Sequence, residues 1–152
     1  MNNQQLIKKL NWFYSLEVNQ VDLYTIQSKH TSDIYIKQVL RRVAEIEADH
    51  VKNISDKIRE LGGKPTIIGE NLATLTGKVA GFATGVAGTI ALLKADIDLE
   101  EKAMKDYKDF ILEAGPDEHL FELLWSNLID EDLHTAWFTN KLKEIESRHE
   151  NS

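Results

Sequence analysis

Three segments of the chain place a glutamate three residues before a histidine, and two of them, Glu47-Ala48-Asp49-His50 and Glu131-Asp132-Leu133-His134, interrupt apolar stripes. On a helix that spacing puts both side chains on one face, where they can share a metal ion. Glu17 precedes Glu47 by 30 residues and Glu100 precedes Glu131 by 31, and Tyr24 and Tyr107 each follow their lone glutamate by seven. Four carboxylates carry −4 and two neutral imidazoles nothing, so two Fe(II) ions restore neutrality. Hard oxygen with imidazole suits iron or manganese, and zinc occupies such a site in vitro. The chain has no cysteine, which excludes disulfides, thiolate metal sites, a rubredoxin-type module and thiol catalysis. With 14 Glu and 5 His, roughly 0.5 such pairs arise by chance. Glu146-Ser147-Arg148-His149 has the same spacing but lies in a polar tail without a symmetric partner, so it is given no role.

The elements that position these residues are helices, because Pro65 and Pro116 are the only prolines and most of the eight glycines fall between Gly62 and Gly88. Leu6, Leu10, Phe13, Glu17, Gln20, Tyr24 and Gln27 form one helical face. After a break at Thr31-Ser32-Asp33 a second stripe, Ile36, Leu40, Val43, Glu47, His50, Ile54, Ile58 and Leu61, predicts a helix over 33–61 that Gly62-Gly63 stops. Ile90, Leu93, Ile97, Glu100, Met104, Tyr107 and Ile111 form a third stripe, closed by Gly115-Pro116 with Asp117 as the next N-cap. Leu120, Leu124, Asn127, Glu131, His134, Phe138 and Leu142 form the fourth. Each stripe is interrupted at mid-helix by acid or histidine where a bundle places leucine, and uncompensated buried carboxylates are costly. Short links make two antiparallel hairpins, and the stretch from Gly62 to about Gly77 is long enough to cross the bundle lengthwise. The expectation is one all-α four-helix bundle over 1–148, polar residues after Glu146 fraying into a tail at 149–152, with a pseudo-twofold axis between the hairpins.

Counting residues from the turns at ~1.5 Å each puts all six groups within about 7 Å along the axis. Glu101 competes with Glu100 but sits one position, about 100°, off the stripe, so Glu100 is the candidate. Tyr24 and Tyr107 lie ~10 Å along the axis from their own glutamates, too far to ligate a metal beside them, and read as core tyrosines with satisfied hydroxyls. Gln20 and Asn127 face inward and could hydrogen-bond a ligand or each other. Trp12, Trp125 and Trp137 read as packing residues. The glycines between Gly77 and Gly88 imply close backbone approach, either tight packing of the start of the third helix or of the crossover against a neighbour, or a wall for an apolar substrate or a weak membrane-surface contact. A net charge of −7 argues against nucleic acid, and the absence of a leader or a long apolar span predicts a soluble protein of the cytoplasm without membrane contact.

From about Glu17 to His134 these residues resemble the demethoxyubiquinone hydroxylase family and its bacterial relatives, within the ferritin-like di-iron carboxylate superfamily that also includes rubrerythrin. Glu17 with Tyr24 and Gln27 resembles the family's first helix, Glu-Ala-Asp-His-Val at 47–51 its second-helix motif, and Lys-Pro-Thr at 64–66 its following turn. Gly81-Phe82-Ala83, the pair Glu100-Glu101 with Tyr107, and Glu131 to His134 complete the likeness. The resemblance implies two iron ions, with Glu17 and Glu100 terminal, Glu47 and Glu131 bridging, and His50 and His134 each on one iron. It implies an oxidoreductase acting on O2 or peroxide, either a monooxygenase hydroxylating an apolar small molecule or a rubrerythrin-like peroxidase or ferroxidase. A non-catalytic iron-binding bundle is the third reading. The implied partners are an external electron donor and further copies of the chain.

Overall fold

The computed structural model describes residues 1–69 and 85–151. They form four helices, α1 (Asn3–His30), α2 (Ile34–Glu60), α3 (Gly85–Glu113) and α4 (Glu118–Glu150). The chain is the all-α four-helix bundle that the stripes call for, and no strand occurs among the described residues. Side-chain caps fix three of the starts. Asn2 accepts from the Gln5 amide at 2.9 Å while Gln5 accepts from the Asn2 amide, Asp33 accepts from the Ile36 amide at 2.9 Å, and Asp117 from the Leu120 amide at 3.0 Å. Such caps are worth about 1 kcal/mol each. Gly62 (φ 80°) and Gly115 (φ 82°) end α2 and follow α3 in the left-handed region that glycine enters without strain. The last helix runs on to Glu150, past Glu146, because Arg148 pairs with Glu144 at 2.6 Å and Asn151 donates to the Ser147 carbonyl at 2.7 Å.

The links 31–33 and 114–117 fold α1 on α2 and α3 on α4. Lys57, 4% exposed, ties the end of α2 to the start of α4, reaching Glu60 at 2.9 Å and Asp117 at 2.7 Å. Beyond α2 the chain turns alongside α1 and in its direction. Asn3 donates to the Leu61 carbonyl, Asn11 accepts from the Thr66 amide at 2.6 Å, and Ser15 accepts from the Ile68 amide at 2.7 Å. These bonds account for two buried polar residues of α1, Asn11 and Ser15, that its apolar stripe does not explain. A Cβ on Gly63 would come within 2.8 Å of Ile7 Cγ2, so the turn needs glycine for close approach. The rest of the crossover, 70–84 with Gly77 and Gly81, lies outside the described residues. Gly85 (φ 73°), which opens α3, has none of the described residues within 4 Å of an added Cβ, so no close approach is seen there.

α1 and α3 meet in antiparallel register. Phe13 stacks on Phe110 with centroids 5.2 Å apart, Tyr107 bonds Glu17, Tyr24 bonds Glu100, and Gln27 donates to Asp96 at 2.7 Å. The glutamates therefore sit at mid-height, with apolar layers of Leu10, Phe13, Ile54, Ile58, Phe110 and Leu124 on one side and Leu23, Ile36, Leu40, Leu93 and Phe138 on the other. Trp137 is half-buried against this core, and Trp12, 39% exposed, packs edge to face on the buried Phe13 ring at 5.0 Å with the Lys102 ammonium 4.9 Å from its own ring. Trp125, 41% exposed, meets only the exposed Phe121 among the described rings and is not a core packing residue. No described helix is long and apolar enough to cross a membrane.

Candidate metal centre

Each helix contributes where its apolar stripe is interrupted: Glu17 from α1, Glu47 and His50 from α2, Glu100 from α3, Glu131 and His134 from α4. All six are at most 5% exposed. Ligand atoms of Glu17, Glu47, His50 and Glu131 lie within 4.8 Å of one another, and so do those of Glu47, Glu100, Glu131 and His134. Glu47 and Glu131 belong to both groups. His50 Nδ1 approaches Glu47 at 2.9 Å and Glu17 and Glu131 at 3.4 Å. His134 Nδ1 lies 3.1 Å from Glu47, 3.7 Å from Glu100 and 3.9 Å from Glu131. Among the described residues no lysine or arginine ion pair reaches these carboxylates. Both oxygens of Glu47 and of Glu131, and Oε2 of Glu100, are buried without an aligned hydrogen-bond partner. A donor set of four carboxylates and two imidazoles, with inward oxygens left orphaned, fits a pair of divalent cations.

The electrostatics of the cluster follow from the same crowding. Burial lifts the Glu47 carboxyl to about 7, against the pull of the two imidazoles. Burial, reinforced by the Glu131 charge, holds Glu100 well above the usual carboxylate range. Glu17 is buried as deeply, yet the hydrogen bond and charge of His50 outweigh burial and bring it below its ordinary value. Burial also opposes charge on the histidines, but their carboxylate neighbours prevail, raising His50 far above normal and His134 to about 12. Protons thus take the positions between carboxylates that cations would otherwise fill.

Around this cluster lies a second layer. Each tyrosine lies two turns from its own glutamate but, because α1 and α3 run antiparallel, directly opposite the other one. Tyr24 donates to Glu100 and Tyr107 to Glu17, and Asn127 donates to the Tyr107 hydroxyl at 3.0 Å. Asn127 therefore supports a tyrosine and does not pair with Gln20, whose two polar atoms are buried without partners among the described residues. His50 Nε2 bonds Asp130 at 2.9 Å, whereas His134 Nε2 has no hydrogen-bond partner among the described residues. The position matching Asp130 in the first hairpin is Ile46.

A ferritin-like domain model matches residues 7–147. The chain belongs to the ferritin-like domain family. Within that family it is similar to a 3-demethoxyubiquinol 3-hydroxylase of Chromobacterium violaceum, 28% identical over 127 residues that make up 83% of this chain. The chain spans about three-fifths of that relative's length, 61%. The bacterioferritin-related protein of Bacteroides fragilis, described as a dodecameric thioferritin, superposes with a TM-score of 0.83 over 99% of this chain and 92% of its own, at 20% identity. At that identity the likeness shows the shared ferritin-like bundle.

Two residues around the centre of this ferritin-like chain were not singled out from sequence. Asp130 sits beside Glu131 and faces α2 instead of the α4 stripe, so no periodicity marks it. Asp96 is fully buried, and burial holds its carboxyl well above the ordinary value. Its signal was present, since the third stripe can step from Leu93 to Glu100 through Asp96 as readily as through Ile97. Glu101 is exposed while Glu100 is buried in the cluster. Glu100→Gln is therefore expected to lose bound metal and Glu101→Gln to retain it. Elemental analysis of the two purified variants checks this, and loss in the second alone would reverse the choice.

Proposed function

We propose that this chain is a non-haem di-iron carboxylate oxidoreductase that activates O2 or peroxide, of the demethoxyubiquinone-hydroxylase type. The observation that carries the reading is the sharing of Glu47 and Glu131 between two overlapping buried ligand groups. Glu17 and His50 would complete the set for one iron, and Glu100 and His134 that for the other. Bound there, an iron pair supplies the electrons that reduce an oxygen–oxygen bond. The protein's own part is to exclude water from the cluster and to orient its carboxylates. Burial raises the Tyr24 and Tyr107 hydroxyls well above their ordinary values, so each keeps its proton and spends it in a hydrogen bond to Glu100 or Glu17. The chain has no cysteine to build a rubredoxin module of its own, so electrons would come from a separate donor. The hydroxylase relative supports an apolar small molecule as substrate, and the dodecameric neighbour supports assembly into a homo-oligomer. In this reading residues 1–148 form the working bundle.

A second reading, a rubrerythrin-like peroxidase or a ferroxidase, is favoured by enclosure. With every cluster residue at most 5% exposed, the centre suits an oxidant with only two non-hydrogen atoms, as O2 and hydrogen peroxide have. Anaerobic loading with Fe(II), then addition of O2 or of peroxide with and without a quinol-like ring compound, separates the readings. Oxygen incorporated into the ring supports the hydroxylase. Fast peroxide consumption or Fe(II) oxidation with the ring untouched supports the second, and no reaction of the loaded protein removes both.

A further inference from the structure

α4 presents its buried polar residues on one face and an unbroken apolar row on the opposite one. Phe121, Trp125, Ile129 and Leu133 succeed one another at steps of four and are 42%, 41%, 53% and 61% exposed. The Phe121 and Trp125 rings meet edge to face at 6.1 Å, so the aromatic half of the row packs along itself. At about 100° per residue it lies across the helix from Leu124, Asn127, Glu131 and His134. Single exposed hydrophobic residues need no explanation, but a contiguous row of four does.

We propose that this face docks against the same face of a second copy of the chain, as an antiparallel α4–α4 contact whose two-fold axis passes midway between Trp125 and Ile129. A row at steps of four is a ridge, and two such ridges interdigitate when their helices cross at about −50°. The two-fold axis sets Phe121 beside Leu133 and Trp125 beside Ile129 of the second copy, so each aromatic residue meets an aliphatic one. Taking about 200 Å² for a large side chain, the exposed parts of the four residues amount to about 400 Å². A stable interface buries about 800 Å² per partner, roughly 65% of it apolar at the core, so the row supplies most of the apolar area a dimer needs. A net charge of −7 turns the same face away from anionic lipid.

Sedimentation of the full chain from about 1 to 100 µM tests the proposal. The wild type is expected to sediment as a dimer or a multiple of one, and Ile129→Glu with Leu133→Glu to weaken association about 100-fold. Leu112→Glu, at an 85% exposed position of α3 outside the row, is expected to leave association unchanged. All three substitutions lie on solvent-facing positions, and unchanged thermal melting and metal content confirm that only the contact is affected. A monomeric wild type at the highest concentration, or sedimentation indifferent to the α4 substitutions, overturns the proposal. So does binding of neutral phosphatidylcholine vesicles by a monomeric wild type, lost in the α4 variant, which would assign the row to lipid.

Discussion

Replacing Glu47 or Glu131 by glutamine is expected to lower bound metal below two per chain. Each of these residues belongs to both ligand groups, so one substitution removes a charged donor from both positions. The loss should exceed the roughly 10–100-fold that removal of an outer hydrogen-bond partner costs a metal site. For Glu47 the folded protein should not suffer in parallel. Burial raises this carboxyl from 4.5 to about 7, so near neutral pH its ionised form opposes folding, and a neutral amide of similar volume relieves that cost. Metal-free Glu47→Gln should therefore melt no lower than the metal-free wild type at pH 7.5 while binding less metal. Elemental analysis beside calorimetry separates the effects, and unchanged stoichiometry in both variants would remove the site assignment.

The metal-induced rise in melting temperature is expected to be large near pH 7.5 and to shrink by pH 5. The sign follows from the protons. Between 4.5 and about 7 the folded, metal-free protein holds a proton on Glu47 that the unfolded chain has released, so its stability falls as pH rises through that window. His134, raised from 6.5 to about 12, adds stability below 6.5 that drains away as pH climbs toward 12. The metal-free bundle is thus steadier on the acid side. Metal displaces the same protons and binds more tightly as pH rises. At 100 times its dissociation constant it stabilises the folded state by about 2.7 kcal/mol, or about 5–10 °C for a domain of this size. An equal shift at both pH values would mean that these carboxylates and histidines do not hold the metal.

The helices and the level of the cluster were legible in the sequence because burial writes a periodic record. Glutamate and histidine at the centre of a leucine stripe mark both a face and a height, and two hairpins marked alike predict convergence. What sequence could not supply was the pairing between helices. Tyr24 and Tyr107 were legible as satisfied core tyrosines, but their partners depend on the antiparallel register of α1 against α3, which no single stripe encodes. Asp130 was hidden because it belongs to the α2–α4 seam, to one side of the helix's main buried face. Asn11 and Ser15 could not be explained from their own helix, since the groups they satisfy come from Thr66 and Ile68 in the crossover.

The sharing of ligands between hairpins has a mechanical side. Glu17, Glu47 and His50 of the first half are joined only by Glu131 from the second, and Glu100, Glu131 and His134 of the second only by Glu47 from the first. Neither hairpin closes a group by itself. A divalent ion in either position is then a strut between the halves, working beside the Glu17–Tyr107 and Tyr24–Glu100 rungs and tying together segments far apart along the chain. A chelator would act on this cysteine-free bundle much as a reductant acts on a protein stapled by disulfides.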